Sequence, residues 1–288
     1  MTRIKKAFLV IFILIAVVFV VSFLTGIFGR GLGDKIGVVE IEGVITDGKD
    51  TMEDIVKFKE DDGIKGVIVR INSPGGSVGP SQEIYRELKK LSVKKKVYIS
   101  ASSVCASGGY YIASAGEKIF ANPSTITGSI GVIMEQVVAE DLMKKIGIQP
   151  NTIKAGQFKD VGSPFRKMKD DERAYFQQIL DSIHEQFIKD VAEGRKMSVE
   201  QAKKLSDGRV YTGSQAKELG LVDSIGTFYD TVDDMKKTLG IKGKPVLVHG
   251  KRPFSFLKWL ISSVTETIIR YYNSAPARYY NYKFMPNL

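Results

Sequence analysis

Small residues crowd the stretch from Ala101 to Gly116, and near its middle Ser107 is followed by two glycines. An apolar β-type run, Val97 to Ser100, leads in, and a short helical segment ending near Gly116 leads out. A serine at the sharp turn between them is exposed to attack a carbonyl. The backbone N–H of Gly108 and the helix dipole would face the oxyanion that the attack creates. The alternative is that Ser107 only caps the helix. A serine nucleophile needs a base, and histidine is scarce. His184 lies mid-helix in Asp181-Ser182-Ile183-His184-Glu185 and His249 lies beyond the last expected unit, so a Ser-His-Asp triad is not expected. Two dispersed histidines and the single Cys105 do not make a zinc site, and no metal or other cofactor is expected. Lysine can replace histidine if it is neutral at working pH, which takes burial in apolar surroundings to lower its ordinary value from about 10.4 to about 7–8. The candidates are therefore lysines in small, apolar, irregular contexts. Lys159, between Phe158 and Asp160 in a Gly-punctuated loop, fits better than Lys144-Lys145 or Lys203-Lys204 on helix faces, provided that Asp160 points away.

These residues need a scaffold. Ile36 to Ile45 reads as a strand, Asp50 to Lys59 as a helix, and Gly66 to Ile71 as a second strand, apolar enough to be buried on both sides. After Asn72-Ser73-Pro74-Gly75-Gly76-Ser77 comes a helix from Pro80 to Leu91, with Ile84, Leu88 and Leu91 inward. A third strand, Val97 to Ser100, leads into the Ser107 turn, and a fourth, Lys118 to Ala121, into Thr127-Gly128-Ser129-Ile130-Gly131. Val138 to Ile146 reads as a helix stopped by Gly147, and Ile148 to Lys154 as another strand. The repeated alternation predicts an α/β domain with a mainly parallel sheet and its functional loops at the carboxyl ends of the strands. From Asp170 to Glu193, Phe176, Ile179, Leu180, Ile183, Phe187 and Val191 recur at helical spacing, a stripe suited to core or subunit contact. Ser198 with Gln201, and then Thr212-Gly213-Ser214, open two further helices.

Several of these stretches together resemble one family. Asn72-Ser73-Pro74-Gly75-Gly76, Ala106-Ser107-Gly108-Gly109-Tyr110-Tyr111, Thr127-Gly128-Ser129-Ile130-Gly131-Val132, Lys154-Ala155-Gly156-Gln157-Phe158-Lys159-Asp160 and Asp207-Gly208-Arg209-Val210-Tyr211-Thr212-Gly213 look like the motifs of the S49 serine proteases, the family of signal peptide peptidases. The resemblance runs in order from about Lys35 to Gly240 and is that of the short bacterial form, in which one chain carries both Ser and Lys. It implies Ser107 as nucleophile, Lys159 as general base, Ser129 as a helper that hydrogen-bonds and orients the lysine amine, and Gly76 and Gly108 as the N–H donors of the oxyanion hole. The fold implied is the crotonase-like α/β superhelix shared with the Clp protease subunit. A glycine pair after Pro74 agrees with this, since a backbone N–H can approach a substrate oxygen there without a Cβ in the way. Cys105 stands where a small residue such as alanine is expected, and a thiol in that volume reads as packing.

The net charge of +10 does not indicate nucleic acid, because it sits at the ends. Arg3, Lys5 and Lys6 contribute +3 and residues 251–288 contribute +5, which leaves +2 for residues 7–250. Ala7 to Phe28 is 22 residues without a charge, about 33 Å as a helix and enough to span a hydrocarbon core. The expected organisation is therefore a basic cytoplasmic end at 1–6, an uncleaved anchor at 7–28, a short linker at 29–35, a peptidase domain at 36–250 outside the cytoplasm, and a basic aromatic tail at 251–288. The expected partners are signal peptides, the membrane, and further copies of the chain, with Phe176, Ile183 and Phe187 in the contact. The last residues, around Ser274 to Tyr280, are expected to be able to occupy an active-site cleft. Two other readings fit the same fold, a crotonase-type enzyme acting on acyl-CoA and a non-catalytic membrane-bound assembly module.

Overall fold

The structure, a computed structural model, describes residues 12–18 and 33–250. The expected tail lies outside the described residues, as does most of the expected anchor, of which residues 12–18 form one helical stretch, α1. Among the described residues no helix is long and apolar enough to cross a membrane.

Strands β1 (Lys35–Glu42), β2 (Ile64–Ser73) and β3 (Lys96–Ala106) pair side by side in parallel. Helices α2 (Lys49–Glu60) and α3 (Val78–Ser92) make the crossovers between them. The β2 side chains alternate between two cores, as a strand covered on both faces requires. Val67, Val69 and Ile71 join Ile55 and Phe58 of α2 and Ile84, Leu88 and Leu91 of α3 in one core. Ile68 faces the other, with Tyr98, Phe120 and Met235. The second core is closed by α9 (Phe228–Thr238), whose N-terminus is set by reciprocal hydrogen bonds between Thr227 and Asp230. Neither this helix nor β8 (Val246–His249), which pairs in parallel with β1, is anticipated by the sequence reading.

The length of β3 shapes the site. Its first half, Tyr98 to Ala101, pairs with β4 (Lys118–Ala121), and its last residues, Val104 to Ala106, pair with β5 (Ile126–Gly128). Between them the short helix α4 (Gly108–Ala113) turns back into the molecule, buried along its whole length. The sheet runs β6-β5-β3-β2-β1-β8, with β6 (Val210–Thr212) antiparallel to β5 and β7 (Ser224–Ile225) beside β4. The expected α/β class with a mainly parallel sheet is what the chain adopts.

Helix α6 (Asp170–Arg195) is divided along its length. Phe187, Ile188 and Val191 belong to the first core, and Arg195 at its end forms a two-pronged ion pair with Asp223, at 2.9 and 2.7 Å, beside β4. Tyr175 and Ile179 of the first half are exposed, and Phe176 and Leu180 are half-buried. Phe187, expected among the contacts between copies, is instead inside its own chain, edge-on to the Tyr111 ring. The capping boxes expected at Ser198 and Thr212 open α7 (Val199–Lys204) and α8 (Gly213–Glu218).

Two expectations fail between residues 132 and 169. The strand foreseen at Ile148 to Lys154 does not form, since the segment is irregular and exposed and pairs with no strand of the sheet. The helix foreseen at Val138 to Ile146 contracts to α5 (Glu140–Lys145), none of whose residues is buried. Ile148 and Ile153 stand five residues apart and would face opposite sides of a strand, and Pro150 and Asn151 between them disfavour one.

Candidate active site

Ser107 sits between β3 and α4 with φ +52° and ψ −122°, a backbone conformation costly for any residue with a Cβ. It is held there by its own N–H, which donates to the Gly128 carbonyl at 2.9 Å, and by the Tyr111 N–H, which donates to the Ser107 carbonyl. The hydroxyl does not cap α4. The bland reading of this serine thus has no hydrogen bond behind it, and the turn has the form of a strained strand-to-helix elbow that presents an oxygen.

The loop after β2 lies directly against this elbow. A Cβ added to Gly75, whose φ is +102°, would fall 2.7 Å from the Gly108 nitrogen and 2.8 Å from the Ser107 Cβ. Gly76 is pressed against Ile45 in a parallel bridge that uses the Gly75 carbonyl and the Ser77 N–H. That bridge leaves the Gly76 N–H on the opposite side from Ile45, the side of Gly108. A Cβ at Gly76 would meet the Ile45 oxygen at 2.2 Å. Gly76→Ala should therefore destabilise the protein by about 1–3 kcal/mol, the usual cost of overpacking. Gly79→Ala, where a Cβ would meet nothing within 4 Å, serves as the control. Thermal unfolding of the pair checks the difference.

Ser129 also carries a positive φ, +50°, and its N–H donates to Arg209 at 2.9 Å. Ser107, Gly76, Gly108 and Ser129 line one cavity of about 500 Å³, which Asp207 and Gly208 border on one side and Ile183, His184 and Phe187 on another. Cys105, directly beneath, is buried, its Sγ 3.6 Å from the Gly109 carbonyl, and burial pushes its thiol up to about 12. It is packing, not a second nucleophile.

Lys159 does not line this cavity. It stands exposed in the irregular segment before α6, where its N–H donates to the Gly156 carbonyl. A lysine that serves as a base needs apolar burial, and within one chain Lys159 lacks it. Asp160 does turn away, to Lys154 and Arg166. Arg166 is the clamp of this segment, since its Nε donates to Asp160 at 2.8 Å and its Nη1 and Nη2 to Glu172 at 2.7 and 2.6 Å. The guanidinium first, and then Lys154, hold Asp160 well below the carboxylate range, and the guanidinium with the Lys169 N–H lowers Glu172 to about 2. A depressed carboxylate stabilises the fold above its ordinary value and ceases to as pH falls through the folded one. The clamp is thus complete above about pH 4.5 and opens as pH falls toward 2. Pepsin cleavage between residues 154 and 169 should be slow at pH 4.5 and accelerate toward pH 2, and Arg166→Ala should already be cut quickly at pH 4.5.

His184, not expected to take part, lies in the cavity wall. Its Nε2 is closed to solvent and has no hydrogen-bond partner among the described residues, Ser107 included, so no Ser-His pair is formed. Leaving such a nitrogen unpaired costs about 1–3 kcal/mol. Among the described residues no group of three or more His, Cys, Asp or Glu could hold a metal ion.

Ser107 thus stands at a strained elbow at the carboxyl edge of a parallel sheet, with Gly76 and Gly108 lining the same cavity. The chain belongs to Peptidase family S49, whose family model matches residues 89–242. It is 44% identical over 197 residues to a putative protease of Synechocystis, a match covering 68% of this chain and 71% of that protein. To a putative protease of Methanocaldococcus jannaschii it is 38% identical over 193 residues, 67% of this chain and 62% of the relative. To the putative signal peptide peptidase SppA of Enterococcus faecium it is 38% identical over 212 residues, 73% and 62% of the two chains. The chain thus spans less than two thirds of the length of two of these three relatives.

Proposed function

We propose that the chain is a membrane-anchored serine endopeptidase, with the crotonase-like superhelix of the Clp protease subunit, that works through Ser107 and Lys159 and degrades signal peptides left in the bilayer after secretion. The observation that carries the reading is Ser107 itself, forced to φ +52°, unused as a cap, and opening on a cavity with Gly76, Gly108 and Ser129. The Ser107 hydroxyl attacks the scissile carbonyl and the Lys159 amine takes its proton. The N–H groups of Gly76 and Gly108 receive the oxyanion, and Ser129 orients the amine. The proton then passes to the leaving nitrogen, and water attacks the acyl-serine by the same route in reverse. The absence of a hydrogen-bonded histidine at Ser107 favours lysine as base.

Lys159 reaches Ser107 either by closure of its own segment or from a second copy. Assembly is supported by apolar side chains exposed on and beside that segment, with Ile153 95%, Phe158 42%, Phe165 43% and Tyr175 47% open to solvent. The uncharged run 7–28, the basic end before it and the short linker 29–35 support anchoring with the catalytic domain outside the cytoplasm. A short tether holds the site near substrates that are themselves apolar helices, and the name of the Enterococcus relative points to the same substrates. The test is hydrolysis of casein and of a synthetic signal peptide by the full-length protein in detergent micelles, compared with the Ser107→Ala chain.

A further inference from the structure

The loop that carries Gly76 is tied down by one buried hydroxyl. Ser73, the last residue of β2, is wholly buried, and its Oγ stands 2.6 Å from the Gly43 carbonyl oxygen and 3.1 Å from the Gly75 nitrogen. The partners fix the roles, since a carbonyl only accepts and an N–H only donates. The hydroxyl therefore gives its proton to Gly43 and accepts the Gly75 N–H on a lone pair. Gly43 in turn donates its N–H to the Asn72 carbonyl at 3.0 Å, which joins the turn after β1 to the end of β2.

This bond bears on the two peptide planes that follow. Pro74 has no N–H, so the Gly75 N–H is the first donor after β2, and it belongs to the plane that Ser73 holds. The next plane is held by the Gly75 carbonyl, which accepts from the Ile45 N–H at 2.8 Å, and in a planar trans peptide the Gly76 N–H then points the other way. Between the two planes stands Gly75 at φ +102°, with no Cβ to restrict rotation. The direction of the Gly76 N–H thus depends on the hydrogen bonds at either end of Gly75.

We propose that Ser73 is a positioning residue of this site, aiming the Gly76 N–H at the oxyanion through its hold on the Gly75 N–H. Ser73 is not part of the cavity lining and touches none of the reacting atoms. The inference rests on the peptidase reading and assigns the aim of its oxyanion hole to a buried side chain behind the loop.

The experiment uses full-length protein in micelles, one peptide substrate, and a peptide aldehyde of the same sequence, whose hemiacetal with Ser107 places an oxygen in the same hole. Deleting an oxyanion donor costs about 10²–10³ in kcat, and a misaimed donor should cost less. Ser73→Ala should lower kcat by about 10- to 100-fold and weaken aldehyde inhibition by about the same factor, with KM within about twofold of wild type. Ser73→Cys, which keeps the shape with a weaker donor and acceptor, should fall between alanine and wild type in both. Neither KM nor the inhibition constant depends on how much of the protein is folded, so their ratio separates aim from stability. Thermal unfolding establishes which variants are folded, and if the alanine variant is not, the cysteine variant carries the comparison. A kcat within about twofold of wild type overturns the inference, as does a loss carried by KM, or a lowered kcat with unchanged aldehyde inhibition, while the peptidase reading stands. A folded wild type that neither cleaves the peptide nor binds the aldehyde overturns both.

Discussion

Ser107→Ala is expected to lower kcat/KM for casein or a signal peptide by about 10⁴-fold or more, because the variant keeps the oxyanion donors but has no nucleophile. The loss should come without unfolding. Alanine at φ +52° is strained about as much as serine there, and the hydroxyl makes no cap that its removal would forfeit. Thermal unfolding within about 2 °C of wild type, alongside lost hydrolysis, separates a chemical role from a structural one. Residual hydrolysis above about a tenth of wild type would remove Ser107 from the nucleophile's role. Thioester cleavage of an acyl-CoA that survives the substitution would favour a crotonase-type enzyme acting on acyl-CoA instead.

Lys159→Ala and Lys159→Arg are both expected to reduce hydrolysis about as far as Ser107→Ala. Arginine keeps the positive charge and the reach but is not deprotonated at any usable pH, so it can replace lysine as a charge and not as a base. An active arginine variant would limit Lys159 to electrostatics. Activity should rise with pH as the amine loses its proton, and a rate falling steadily from about pH 6 to 9 would contradict a neutral-lysine base. Because Lys159 is exposed and absent from the cavity of its own chain, mixing the two inactive chains, Ser107→Ala and Lys159→Ala, is informative. Recovered activity means that one copy lends its lysine to another copy's serine. No recovery, with the chains shown to mix, means that the segment closes within one chain.

Local chemistry made much of this protein legible. The alternation of apolar runs with amphipathic segments marked β1 to β4, α2 and α3, because a strand buried on both faces must be apolar throughout and a crossover helix on one face only. Ser198 with Gln201, and Thr212-Gly213-Ser214, announced their helices because a cap is satisfied within four residues. Thr227 with Asp230 offers a like signal for α9, with a shorter acid. The glycines after Pro74 and the small residues around Ser107 exposed the elbow, since a Cβ on Gly75 or Gly76 would fall within 3 Å of neighbouring backbone.

Contacts between distant parts of the chain were decided elsewhere. Ile148 to Lys154 forms no strand, because Pro150 has no N–H to give a ladder and no edge of the sheet passes beside the segment. Helical periodicity found α6 from end to end, yet it could not say that Phe187 packs on Tyr111 while Tyr175 faces outward. Nor could it say that His184, one residue after Ile183 on that helix, meets the serine's cavity and Lys159 does not. The residue types that can do chemistry, and the turns that strain a backbone, are properties of a few neighbouring residues and so belong to the sequence. Which of those residues share a cavity depends on how β3 divides its pairing between β4 and β5 and on how α6 crosses α4, and only the tertiary structure determines that.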